Sequence, residues 1–150
     1  MPPLFKKLNL TSQTVIHVLN APSSFTPELE ALAGVEVLKE LKGPTGFVIA
    51  FAVTQAEVDA ASQLIASCAE GDPIVWMAYP KGTSRNYRCE FNRDTGWAVL
   101  GAAGYEAVRQ VAIDADWSAL RFRKVEFIKT ITRNPAGAIS KAGRARASSE

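Results

Sequence analysis

Histidine is nearly missing from this chain. The single one, His17, sits inside the apolar run of residues 14–19 (TVIHVL). A serine–histidine–acid triad would have to pass through that one side chain, which reads as a core or sheet-face histidine. The Gly-x-Ser-x-Gly elbow that presents a nucleophilic serine is also absent. Cysteine is scarce as well: Cys68 and Cys89 are far apart and form no Cys-x-x-Cys pair. Thiol redox chemistry and paired-cysteine metal sites therefore have no motif to rest on. A chain of this length buries roughly 68–70% of its unfolded surface and needs no disulfide. No long hydrophobic run exists either, the longest being residues 47–53, too short to cross a bilayer. Residues 1–10 (MPPLFKKLNL) lack the continuous apolar stretch of a secretory signal. The expected setting is the cytoplasm, with no membrane partner. No internal repeat is visible.

What is present is an ordinary globular composition, 47% hydrophobic and 21% charged, on which one domain over residues 1–132 is expected. The net charge of +2 conceals an asymmetry. Residues 121–150 carry eight Lys or Arg against two acids, and residues 1–120 carry nine against thirteen. From Arg133 onward Ala, Gly, Ser and Arg dominate without periodicity, so residues 133–150 read as a disordered basic tail. Such a tail suits an anionic partner or serves as a solvated end.

Apolar patterning predicts strands at residues 14–19, 35–38, 46–53, 73–79, 105–113 and 120–128, the last with a slip of phase at Lys124. A helix is expected from a Thr26 cap and Pro27 to Gly34. A second covers residues 55–69 behind a Thr54 cap, with Val58, Ala61, Leu64, Ile65 and Cys68 on one face. A third covers residues 92–103, with Trp97 and Leu100 inward. The order β-α-β-β-α-β-α-β-β implies an α/β fold of Rossmann-like topology. Its sheet is expected to be mostly parallel, with helices on both faces and a C-terminal antiparallel strand pair.

In open α/β sheets ligands collect beyond the carboxyl ends of the strands. That rule selects three loops: Asn20 to Ser24 (NAPSS), Tyr79 to Asn86 (YPKGTSRN) and Asp114 to Ser118 (DADWS). In the first, no glycine follows the strand until Gly34, and Ala21-Pro22 denies a phosphate close approach to the backbone. Nicotinamide or S-adenosylmethionine cofactors are therefore not expected, nor is any other cofactor. In the second, Lys81, Thr83, Ser84 and Arg85 can bind phosphate or carboxylate, although the order is not that of a Walker motif. An ST-turn explains the same residues structurally. In the third, two carboxylates two residues apart stand beside Trp117, and a turn capped by Asp with Trp117 packed over the sheet edge is the simpler reading. Asn92-Arg93-Asp94 opens a helix, where Asn and Asp satisfy free N–H groups, and Arg93 can point into the cleft.

Two resemblances follow. From Phe47 onward, the order strand, helix, strand, loop, helix and antiparallel pair resembles the C-terminal half of class I methyltransferases. More specifically, Val18-Leu19-Asn20-Ala21-Pro22, Ala78-Tyr79-Pro80-Lys81-Gly82-Thr83-Ser84, Asn92-Arg93-Asp94, Val111-Ala112-Ile113-Asp114 and Trp117-Ser118-Ala119-Leu120-Arg121-Phe122-Arg123 resemble a family of small bacterial proteins of unknown function. The leading expectation is a module that binds a small anionic ligand. Its expected site is Asn20, Ser23, Lys81, Thr83, Ser84, Asp94, Asp114, Trp117 and Arg121, with no metal. The alternatives are an enzyme of methyltransferase-like ancestry with Asp94 or Asp114 as acid/base, and an interaction protein whose tail engages nucleic acid or an acidic partner. Either a monomer or a homodimer is compatible with the charged edge strand.

Overall fold

The computed structural model describes residues 2–92 and 95–128. Three expectations, the cleft role of Arg93, the site role of Asp94 and the tail over residues 133–150, lie outside the described residues. One six-stranded sheet organises the chain. Its strands are β1 (Val15–Leu19), β2 (Glu36–Leu38), β3 (Thr45–Phe51), β4 (Ala69–Pro80), β5 (Tyr105–Ala112) and β6 (Trp117–Lys124). Their order across the sheet is β2-β1-β3-β4-β6-β5. The first four run parallel, and β6 inserts antiparallel between β4 and β5.

Each strand forms for the reason its sequence suggests. β3 and β4 are continuous apolar runs because both of their faces are covered. Val48, Ala50, Val75, Met77 and Tyr79 point into one core, and Phe47, Ile49, Phe51, Trp76 and Ala78 into the other. The first core is closed by α3 (Gln55–Cys68) and α4 (Ala98–Ala102). The second is closed by α1 (Pro3–Lys7), by Phe25 in a one-turn 3₁₀ segment, and by the aromatic Trp117. Helix α3 starts where Thr54 was expected to cap it. The Thr54 hydroxyl accepts from the Glu57 amide, while the Glu57 carboxylate accepts from the amides of Val53 and Thr54.

The expected Rossmann-like, mostly parallel sheet with helices on both faces is corrected here. The sheet is mixed, its three longest strands β4, β5 and β6 are joined by antiparallel pairing, and only α3 exceeds five residues. The error has a physical source. A strand buried on both faces is equally apolar whether its neighbour runs parallel or antiparallel, so the β4 sequence does not disclose β6 beside it. The helices were overestimated for a related reason. In place of a helix from Thr26 to Gly34 there is a 3₁₀ turn over Ser23–Phe25 followed by α2 (Thr26–Glu30), and Thr26 makes no side-chain cap. The helix expected over residues 92–103 is reduced to α4.

Gly96 explains that reduction. Its φ of +94° lies in the left-handed region, and a Cβ there would stand 2.7 Å from the Phe91 Cβ and 2.9 Å from Gln55 Oε1. The chain thus turns sharply at Gly96 and becomes helical only at Ala98. The phase slip at Lys124 marks the end of β6, after which Val125–Phe127 form a 3₁₀ turn. No helix among the described residues is long and apolar enough to cross a membrane.

Candidate functional site

The segment after β4 folds back over the carboxyl ends of β3 and β4 and the start of α3. The amide of Glu90 donates to the Val53 carbonyl at 3.1 Å, and the Glu90 carboxylate accepts from the Gln55 amide at 2.8 Å. Gln55 Nε2 in turn donates to the carbonyl of Gly96. Of the amides at the start of α3, those of Val53 and Thr54 are taken by Glu57, that of Gln55 by Glu90 and that of Glu57 by the Thr54 hydroxyl.

A second clasp holds the near side of the same segment. Asp116 reaches across from the β5–β6 turn: its Oδ1 accepts from the Ser84 hydroxyl at 2.8 Å and its Oδ2 from Asn86 Nδ2 at 3.1 Å. Its backbone carbonyl accepts from the Lys81 amide at 2.7 Å. Ser84 Oγ also accepts from the amides of Asn86 and Tyr87, both at 3.2 Å. Asp116 is held in place by Asp114, whose Oδ1 accepts from the amides of Asp116 and Trp117, each at 2.8 Å. This is an Asx turn.

Between the two clasps lies a cavity of about 480 Å³ lined by residues from Tyr79 to Asn92. Lys81, Arg85 and Arg88 contribute cations, and Tyr79, Tyr87 and Phe91 contribute aromatic walls. No carboxylate is among its described lining residues. None of the three cations forms an ion pair among the described residues. The lining thiol of Cys89 is pushed upward chiefly by burial, the opposite of what an activated nucleophile needs.

The expected site residues separate in the structure. Lys81 and Ser84 line this cavity. Thr83 is exposed in the same loop but does not line it. Asp114 supports it from behind as the turn-former. Trp117 is 3% exposed and packs between Phe51 and Tyr87, at ring distances of 5.2 and 4.9 Å, as part of the core. Asn20, with φ of +57°, borders a different cavity of about 690 Å³ between residues 39–42 and α3, and exposed Ser23 lines neither cavity. Arg121 lies about 14 Å along β6 from Trp117 at ~3.4 Å per residue, well away from the loop. His17 is a buried sheet-face residue whose Nδ1 meets the Thr45 hydroxyl at 2.7 Å, and burial pushes its pKa below the ordinary value.

No protein-family model matches the chain, and no curated protein matches it.

The residues overlooked in the sequence are Arg88, Tyr87 and above all Asp116. Asp114 and Asp116 are alike in a DADWS string, and only the fold shows which of them reaches the neighbouring loop. Among the described residues no group of three or more His, Cys, Asp or Glu is arranged to hold a metal ion.

Replacing Asp116 by Ala should leave Ser84 and Asn86 without their acceptor and open the loop. The expected cost is about 1.5–3 kcal/mol, the range for hydrogen bonds to a charged group. Amide exchange at Asn86 and Tyr87 should accelerate well beyond that of β4. Unchanged exchange at both amides would show that the clasp does not hold the loop.

Proposed function

We propose that the protein binds a small anionic molecule in the cavity of residues 79–92. The observation that carries this reading is the charge of the lining: Lys81, Arg85 and Arg88 line one cavity and, among the described residues, form no ion pair and share its lining with no carboxylate. Cations that line one cavity favour an oxyanion, which accepts charge-assisted hydrogen bonds from them. The cavity volume falls in the range of small-molecule sites.

The aromatic walls narrow the ligand class. Tyr79, Tyr87 and Phe91 favour a molecule that joins its phosphate or carboxylate to a ring or other flat apolar body. Ser84 and Asn86 are already committed to Asp116, so their role is to set the shape of the loop, and the guanidinium groups supply recognition. Because the cations sit at an exposed rim, affinity should decline as salt rises.

A thermal-shift panel tests the reading: nucleoside monophosphates, sugar phosphates, aromatic carboxylates and simple anions. A ligand at about 100 times its Kd adds roughly 2.7 kcal/mol. Ring-bearing anions should raise Tm by several degrees, and their neutral counterparts should not. A panel in which neutral and anionic members behave alike would refute it.

A further inference from the structure

Arg121, expected at the strand-end site, stands on a different part of the sheet and in different company. In register it lies between Trp76 of β4 and Arg109 of β5, with Arg123 two residues further along β6. Its neighbours are both engaged. Arg123 grips Asp72 through Nε and Nη2, the latter at 2.6 Å, and Arg109 Nη1 donates to Asn9 Oδ1 at 3.0 Å. Arg121 makes no hydrogen bond or ion pair among the described residues, and its Nε is buried without an acceptor.

That arrangement is unfavourable as it stands. Like charges directly opposite across two strands repel. An arginine offers five N–H donors, and one of them is here removed from water unpaired. Burial and the neighbouring Arg123 both push the Arg121 pKa down, and Arg109 adds to this, while Asp72 opposes it. The carboxylate of Asp72 is already held by Arg123, and Glu106 is registered beside Arg123, not beside Arg121. The Arg109–Arg121 pair therefore has no acid of its own at its register position. A guanidinium that makes no hydrogen bond or ion pair among the described residues, with a second arginine in register on the adjacent strand, matches the oxygens of a phosphoryl group.

We propose that Arg121 and Arg109 form a second receptor, separate from the loop cavity, for a phosphoryl group. The Arg121 fork takes two of the oxygens, and Arg109, held in place by Asn9, contributes charge from the adjacent strand. The phosphoryl group comes either as free phosphate or as the end of a larger ester.

The test is a titration of the full chain followed through the arginine Nε–Hε signals in nitrogen–proton correlation spectra, with the Arg121 signal assigned by its loss in Arg121→Lys. Inorganic phosphate and glycerol phosphate are the two probes, each matched in ionic strength against sodium chloride. The Arg121 signal should move saturably with phosphate in the wild type and equally in Arg85→Ala/Arg88→Ala, whose loop cavity is disabled. Arg109→Gln should weaken that response about tenfold. Saturation by inorganic phosphate identifies the free ion, and saturation by the ester alone identifies the end group of a larger molecule. An Arg121 signal that neither probe moves, or that chloride moves as far, overturns the proposal. So does undiminished affinity in Arg109→Gln.

Discussion

Trp117→Ala is expected to destabilise the protein by about 3–5 kcal/mol, the cost of truncating a large buried aromatic. That is a large share of the 5–15 kcal/mol that holds a domain of this kind together. The indole is 3% exposed and wedged between the rings of Phe51 and Tyr87, with Phe25 next in the stack against Phe51. Its position on β6, in register with Pro80, places it where the antiparallel insertion meets the carboxyl end of β4. Removing it opens a void at the point where the β5–β6 turn supports the residue 81–92 loop. A second substitution separates core from ligand contact. Trp117 Nε1 is buried without a partner among the described residues, so Trp117→Phe discards an unsatisfied donor along with some volume. It should cost less than Trp117→Ala, because a ring still packs against Phe51 and Tyr87 and the cavity left behind is smaller. Urea denaturation of both variants checks this. A Trp117→Ala variant of wild-type stability would place the indole outside the core.

Trp117 also shows why part of the site was hidden in the sequence. An indole beside two aspartates in a loop reads equally well as a ligand platform and as a core residue. Residue parity along β6 decides between them, and that parity depends on which strand lies alongside. The strands themselves were legible, since residues such as Ile16, Val18, Val48, Ile49, Val75 and Met77 have no other place to go. The start of α3 was legible too, because the capping exchange between Thr54 and Glu57 is local. Pairing across long separations was not. The contact of Asp116 with Ser84 spans 32 residues, and the register of Arg121 with Trp76 spans 45. Neither leaves a trace in spacing or hydropathy. Helix α1 was overlooked although Leu4, Phe5 and Leu8 carry the three- and four-residue spacing of a buried face. At five residues it is too short to stand out as a periodic segment.

The second large effect concerns ligand affinity. Arg85 and Arg88 are exposed and make no ion pairs among the described residues, so replacing both by Ala should leave folding intact within about 0.5 kcal/mol. Their loss removes two of the three cations that line the cavity. With about 1.4 kcal/mol per factor of ten and attenuation by solvent at an open rim, affinity should drop about ten- to a hundredfold. The Lys81 ammonium alone is a point charge and cannot replace a planar fork.

The most direct measurement is a calorimetric titration with adenosine monophosphate, an anion that carries a flat ring, comparing wild type with Arg85→Ala/Arg88→Ala. A loop cavity that binds ring-bearing anions predicts saturable binding by the wild type that weakens at least about tenfold in the double variant, with thermal stability unchanged. Equal affinity in the two proteins, or no binding by the wild type, would contradict it.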